Sequence, residues 1–170
     1  DKIGALLFAG EVEKSIPPKK GKAQVFRIVQ EILGYAPKTT GTSLAQALDS
    51  ANRIMKHSGV VFVISDFIAK DYESSLRRLA KRHDVVAIRV TDGREFEIPP
   101  IGSMYLLDPE TGNEGMVDTS SYAFKKWIQK EKKDYDSAFK SVFSKSRIEE
   151  LLIRTREDYG EAVVRFFRTR

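Results

Sequence analysis

Val60-Val61-Phe62-Val63-Ile64 runs without interruption into Ser65-Asp66-Phe67. Five consecutive apolar residues, mostly β-branched, read as a strand buried on both faces, the pattern of a parallel sheet covered by helices. In open α/β sheets, ligands bind just outside the carboxyl ends of such strands. Ser65 and Asp66 fall there, which makes Asp66 the first residue to consider in any site.

The rest of the chain alternates strands and helices around that run. Ile3–Ala9 is an apolar strand turned by Gly10, and Val12–Ile16 is a short return strand stopped by Pro17-Pro18, which cannot donate ladder hydrogen bonds. Val25, Phe26, Ile28, Val29, Ile32 and Leu33 share a helical stripe over Lys22–Leu33, with Gly34 as the stop. Thr42 is placed to N-cap a helix carrying Leu44, Ala47, Leu48, Ala51, Ile54 and Met55. Strand Val60–Ile64, a helix over Asp71–Lys81 and strand Val85–Val90 follow. Phe96–Ile98 and Met104–Leu107 are short strands, the latter entering the turn Asp108-Pro109-Glu110-Thr111-Gly112 of a hairpin near 103–118. Ser120 or Ser121 caps a long polar helix to Phe143; Ile148–Ile153 is a strand and Glu157–Phe167 a closing helix. The order predicts a doubly wound α/β fold, a mostly parallel sheet flanked by helices, in one domain spanning 1–170.

Composition narrows the chemistry. With no cysteine among 170 residues, disulfides, thiolate metal sites and cysteine nucleophiles are excluded. No apolar run reaches the roughly 18 residues of a membrane span. The net charge of +5 lies wholly in residues 119–170, where 13 Lys and Arg stand against 8 acidic residues. Lys125, Lys126, Lys130, Lys132, Lys133 and Lys140 concentrate it on one helix, which makes nucleic-acid binding an alternative. Against that, Phe124, Trp127, Ile128, Tyr135, Ala138, Phe139 and Val142 fit a core-facing stripe, and Glu131, Asp134 and Asp136 interrupt the positive field. A solvated charged face is the simpler reading.

Enzymatic constellations are hard to assemble. Lys19-Lys20-Gly21-Lys22 lacks the glycine spacing and the Ser/Thr of a P-loop, and Gly-x-Ser-x-Gly is absent. His57 and His83 follow helices and are read as partners of helix carbonyls. Asp92, Glu95 and Glu97 form an acidic patch beyond strand Val85–Val90 without a fixed partner. No catalytic residue is assigned, and the chain reads as a non-enzyme.

Several segments, in this order, resemble one family. They are Ile3-Gly4-Ala5-Leu6-Leu7-Phe8, Gly41-Thr42-Ser43-Leu44-Ala45-Gln46-Ala47-Leu48, Ile64-Ser65-Asp66-Phe67, and Arg78-Leu79-Ala80-Lys81-Arg82-His83-Asp84-Val85-Val86-Ala87. Asp108-Pro109-Glu110-Thr111-Gly112, Val117-Asp118-Thr119, Thr155-Arg156-Glu157-Asp158-Tyr159 and Arg165-Phe166-Phe167-Arg168-Thr169-Arg170 complete the set. Together they resemble the von Willebrand factor A-like domain of the bacterial MoxR-associated family, also labelled domain of unknown function 58.

The resemblance implies a metal-ion-dependent adhesion site for Mg²⁺ or a similar divalent cation. Thr42 and Asp66 match the family's metal-ligating threonine and aspartate, and Thr42, Ser43, Ser65 and Asp66 would form the partner-binding surface. Hydroxyl and carboxylate oxygens suit such a hard cation. The family's Asp-x-Ser-x-Ser loop is missing from this sequence. The fold is therefore expected to be N-terminally incomplete, the C-terminal part of a longer protein whose first strand lies upstream of Asp1. That implies a partial site, no bound metal in this fragment, and an open sheet edge through which a homodimer could form. The implied function is a cytoplasmic protein-interaction domain partnering a MoxR-type AAA+ ATPase. The alternatives are a metal-independent module using C-terminal helices or an exposed sheet edge, and nucleic-acid binding through Lys125–Lys140.

Overall fold

A computed structural model describes residues 1–92, 94, 98–107, 114–146 and 148–170. In chain order the elements are β1 (Ile3–Phe8), β2 (Val12–Lys19), α1 (Lys22–Leu33), α2 (Leu44–Ile54), β3 (Val60–Ser65), α3 (Glu73–Ala80), β4 (Asp84–Thr91), β5 (Ser103–Leu107), β6 (Glu114–Asp118), α4 (Tyr122–Ser146), β7 (Glu149–Arg154) and α5 (Tyr159–Thr169). They divide into two compact units, residues 1–58 with 69–81, and residues 59–68 with 82–170.

In the first unit β1 and β2 form an antiparallel hairpin accompanied by α1, α2 and α3. Pro17-Pro18 does not stop β2, which runs on until Lys19 pairs with Ile3. The strand tolerates its prolines because it pairs on one side only, and the ladder shifts register opposite them, between Ile3 and Ala5. Gly4 makes this shift possible, since a Cβ there would lie 2.7 Å from the carbonyl oxygen of Ile16. Gln24 ties α1 to both strands, its Nε2 donating to the carbonyls of Ile3 (3.2 Å) and Pro17 (3.0 Å). Buried Leu44 and Leu48 of α2 and Leu76 and Leu79 of α3 belong to its apolar interior. On α1, by contrast, only Ile28 of the apolar stripe is buried.

In the second unit β3, β4 and β7 form a parallel sheet with β4 at its centre. Val85, Val86 and Ala87 of β4 are accordingly buried. α5 lies on one face, where Phe167 meets Phe62 edge-on at 6.0 Å and Arg170 pairs with Asp84 and, at 3.0 Å, with Glu149. α4 lies on the other, with Phe124, Phe139 and Phe143 buried. Trp127 instead remains half exposed and Ala138 is exposed, so the inward stripe is narrower than the sequence predicts.

β3 differs from expectation in burial. Val63 is inside, but Val60, Phe62 and Ile64 are 51%, 46% and 59% exposed. Among the described strands β3 pairs with β4 alone, and the face carrying these three residues is incompletely covered. The strand is therefore an edge strand. β5 and β6 form the expected antiparallel hairpin, closed at its base by buried Thr119, whose Oγ1 donates to Gly102 O (2.9 Å) and accepts from Ile101 N–H (3.1 Å). The predicted turn 108–112 and the Phe96–Glu97 part of the preceding strand lie outside the described residues; Ile98 is not in a strand.

Helix starts differ from expectation at α2 and α5. Ser43, not Thr42, is the N-cap residue of α2, and it makes no side-chain capping bond. Of the serines before α4, Ser121 caps, its Oγ accepting from Phe124 N–H at 3.2 Å. α5 begins at Tyr159 because Asp158 accepts from Gly160 N–H.

Candidate functional site

The carboxyl end of β3 is a tight tip built by its own side chains. Ser65 Oγ accepts from Phe67 N–H (3.0 Å), and Asp66 Oδ1 accepts from Ile68 N–H (3.0 Å) while lying 3.4 Å from Ser65 Oγ. These are the local side-chain bonds by which Ser and Asp shape turns. Asp66 therefore caps no helix; α3 begins only at Glu73, after Tyr72.

Phe67 takes φ = 61°, a left-handed conformation that a bulky residue adopts only when its surroundings impose it. Those surroundings come from α4. The Phe67 ring is 3% exposed, edge-on to Phe139 at 5.4 Å and Phe143 at 5.3 Å, while those two rings stack 3.9 Å apart. One turn earlier on the same helix, Tyr135 donates its hydroxyl to the main-chain carbonyl of Asp66. The tip is thus held from below at two consecutive residues.

Arg89 stands beside it, paired in register with Ser65. Its Nε donates to Glu150 Oε1 of β7 (2.8 Å) and its Nη1 to Asp136 Oδ1 of α4 (3.0 Å). Its guanidinium lies 4.4 Å from the Phe139 ring centroid. Burial would pull the Arg89 pKa down, but the bonds and charge of Asp136 and Glu150 outweigh it and raise the value. Arg89 is a fully engaged cation that braces β4, β7 and α4. The sequence places Tyr135 on a core-facing stripe and Phe67 beside Asp66 but assigns neither of them, nor Arg89, a role at the tip. A charge inside Val85–Val90 and an aromatic series at 135, 139 and 143 were the available signals.

Thr42 and Ser43 belong to the first unit, Ser65 and Asp66 to the second. Ser43 N–H donates to Ala9 O (2.7 Å), which places the Thr42 loop at the carboxyl end of β1. Gly10 permits that approach, for a Cβ there would lie 2.4 Å from Thr40 O. Glu13 gathers the same loop, accepting from Thr39 Oγ1 (2.5 Å), Thr39 N–H (2.7 Å), Lys38 N–H (3.0 Å) and Tyr35 OH (2.8 Å). These bonds, the Thr39 hydroxyl foremost, hold its pKa at about 2 and push that of Tyr35 up.

The two histidines part company. His57 is exposed, whereas His83 is buried with neither ring nitrogen hydrogen-bonded, so it serves no helix carbonyl. Burial, reinforced by Arg82, holds its pKa below the ordinary 6.5. The α4 lysines 125, 126, 130, 132, 133 and 140 are all exposed, with Lys130 3.7 Å from Asp134. Asp92 accepts from Arg94 N–H at 2.9 Å, while Glu95 and Glu97 lie outside the described residues. Among the described residues no three His, Cys, Asp or Glu side chains gather as a metal group.

The profile of a family described as protein of unknown function DUF58 matches residues 1–138. An uncharacterised protein of Mycobacterium avium is 32% identical over 161 residues, covering 91% of this chain and 93% of that protein. Uncharacterised proteins of Mycobacterium tuberculosis and Mycobacterium bovis are 32% identical over 115 residues, 66% of this chain, and the match spans only 36% of their length. Among solved structures, a conserved hypothetical protein, BatB, from Bacteroides thetaiotaomicron is similar with a TM-score of 0.58 at 16% identity, over 99% of this chain and 78% of that one. That likeness concerns the fold.

Proposed function

The chain belongs to the DUF58 family, and from that premise we propose that it is a non-enzymatic, von Willebrand factor A-like protein-interaction domain. Its partner is a MoxR-type AAA+ ATPase met in the cytoplasm. Asp66 contributes to a partial metal-ion-dependent adhesion site at which Mg²⁺ or a similar divalent cation bridges to an acidic side chain of the partner; by the resemblance, Thr42 of the first unit is the family's other matching ligand. Ser65 stands beside Asp66, and Ser43 beside Thr42, as the resemblance's partner-binding residues. One observation carries the reading: Asp66 caps no helix, yet its tip is held in a strained conformation by Phe139, Phe143 and Tyr135. Strain maintained at the end of a parallel strand marks a position where geometry matters more than stability.

The residues themselves bind and orient: Ser65 and Asp66 present oxygens, and the metal would supply charge for a carboxylate ligand. The test is a pull-down of the ATPase by the full-length protein, with Mg²⁺ and with EDTA. Capture lost on chelation and in Asp66→Ala supports the mechanism; capture surviving both refutes it.

Two other readings have specific support. Tyr122, 80% exposed, and half-exposed Trp127 lie among the α4 lysines, favouring nucleic-acid binding through Lys125–Lys140 over what the sequence suggested. Binding to DNA or RNA that falls steeply with salt would establish it. The edge of β3 carries neither charge nor proline in Val60–Ser65, so a metal-independent contact, including a homodimer, could form there. Sedimentation velocity of the parent and of Ile64→Lys tests this: a dimer that dissociates in the variant supports it, and a monomeric parent removes it.

A further inference from the structure

The carbonyl of Asp66 and the ring of Phe67 are both held by α4, a helix that the family resemblance does not connect with the site. Tyr135 donates to Asp66 O, and Phe139 and Phe143 enclose Phe67 eight residues or less further along. Asp136, between them, is fixed to the sheet through Arg89, which is anchored in turn to Glu150. The carboxylate of Asp66 is then oriented by the turn that these contacts define, with Oδ1 returned to Ile68 N–H. Peptide rotation at residue 66 would break the Tyr135 bond and move the Asp66 Cα–Cβ direction together.

We propose that Tyr135 is a positioning residue for Asp66: its hydroxyl, acting with the Phe139–Phe143 clamp on Phe67, fixes the peptide that aims the Asp66 carboxylate outward. The inference rests on Asp66 being the metal-facing carboxylate. Its logic is preorganisation, in which a supporting shell holds a polar group within a few tenths of an ångström of its working position before the ligand arrives. Tyr135→Phe keeps the ring and removes the hydroxyl, which serves Asp66 O and also bears on Arg89, so the tip is read directly at its own amides. Exposed Tyr105 of β5 is the control.

The experiment uses the 170-residue chain and Mn²⁺ alone as the probe. Backbone amide exchange is measured at Phe67 and Ile68, and Mn²⁺-induced line broadening is titrated at the same amides. Tyr135→Phe should speed Ile68 exchange and weaken the Mn²⁺ effect by roughly five-fold each, the scale of one net hydrogen bond. The melting temperature should fall by no more than the few degrees that one hydrogen bond accounts for, and Tyr105→Phe should change nothing. Asp66→Ala should abolish the broadening. Broadening that depends on Asp66 but is indifferent to Tyr135→Phe overturns the positioning role and leaves the metal reading intact. If the parent shows no broadening, as a partial site in this chain allows, Ile68 exchange alone decides: faster exchange in Tyr135→Phe supports the positioning role, and unchanged exchange overturns it.

Discussion

The guanidinium of Arg89 lies 4.4 Å from the ring centroid of Phe139, the same ring that stands edge-on to Phe67. One aromatic side chain therefore shares a strand cation on β4 with the turn at the end of β3. Sheet, helix and candidate site are joined through it. Disturbing any one should be felt by the other two.

Phe67 offers the sharpest test of this coupling. Phe67→Ala removes a buried ring and should cost about 3–5 kcal/mol by urea denaturation. Phe67→Gly removes the same ring but relieves the left-handed backbone, for which L-residues pay about 1–2 kcal/mol. Glycine should therefore be the less damaging substitution, reversing the usual order in which it is worse than alanine. Equal or greater loss in Phe67→Gly would show that the positive φ carries no strain.

Arg89→Met should leave Asp136 and Glu150 without their shared cation. Loss of one member of a buried pair commonly costs 3–5 kcal/mol, but these carboxylates are 40% and 30% exposed, so about 2 kcal/mol is expected. Asp136→Asn combined with Glu150→Gln in the same background should recover part of it. Equilibrium unfolding of the single and combined variants provides the comparison.

Glu13 has a folded pKa of about 2 against an ordinary 4.5. A carboxylate with a depressed folded pKa stabilises the fold above its unfolded pKa, and that contribution disappears as pH falls through the folded one. Melting temperature should therefore decline between pH 4.5 and 2, and Glu13→Gln should flatten that limb. Unchanged acid sensitivity in the variant would contradict the bond network at Thr39.

His83 works in a different range. Its folded pKa lies below 6.5, so its neutral form is the stable one in the native state and the contribution is complete above 6.5. Stability should fall as pH drops below 6.5 towards the lowered folded value. His83→Leu removes both the charge that forms and two unpaired buried nitrogens, so it should melt higher than the parent and lose the pH dependence in this window. Melting curves between pH 7 and 5 decide the matter.

Much of the architecture was legible because its signals are local. Apolar segments placed β1, β3, β4, β5, β7 and all but the proline-containing end of β2, β6 was expected only as the second arm of the hairpin, and the helices followed from their apolar spacing. Burial was less legible. Val60–Ile64 reads as an interior strand from composition alone, but whether its second edge is paired depends on a neighbour far away in sequence. Thr42 was misread for a related reason: one residue's difference in where α2 starts moves the capping position to Ser43. Asp66 was found at the end of its strand, but the residues holding it were not. Tyr135, Phe139 and Phe143 meet the tip only after α4 docks, and spacing along the helix does not say what the stripe will touch.

The second carboxylate anchoring Arg89, Glu150, lies 61 residues further along the chain. At 5–20 residues per second, a ribosome takes roughly 3 to 12 seconds to supply it. During that interval β4 has no β7 to pair with, and an arginine destined for burial stands with its partners unmade. The β3–β4 pair is then a nascent two-stranded sheet open along both sides, with Val60, Phe62 and Ile64 among its uncovered residues. The second unit is thus completed only once β7 and α5 have followed, and its need for protection by chaperones is greatest while α4 is still emerging.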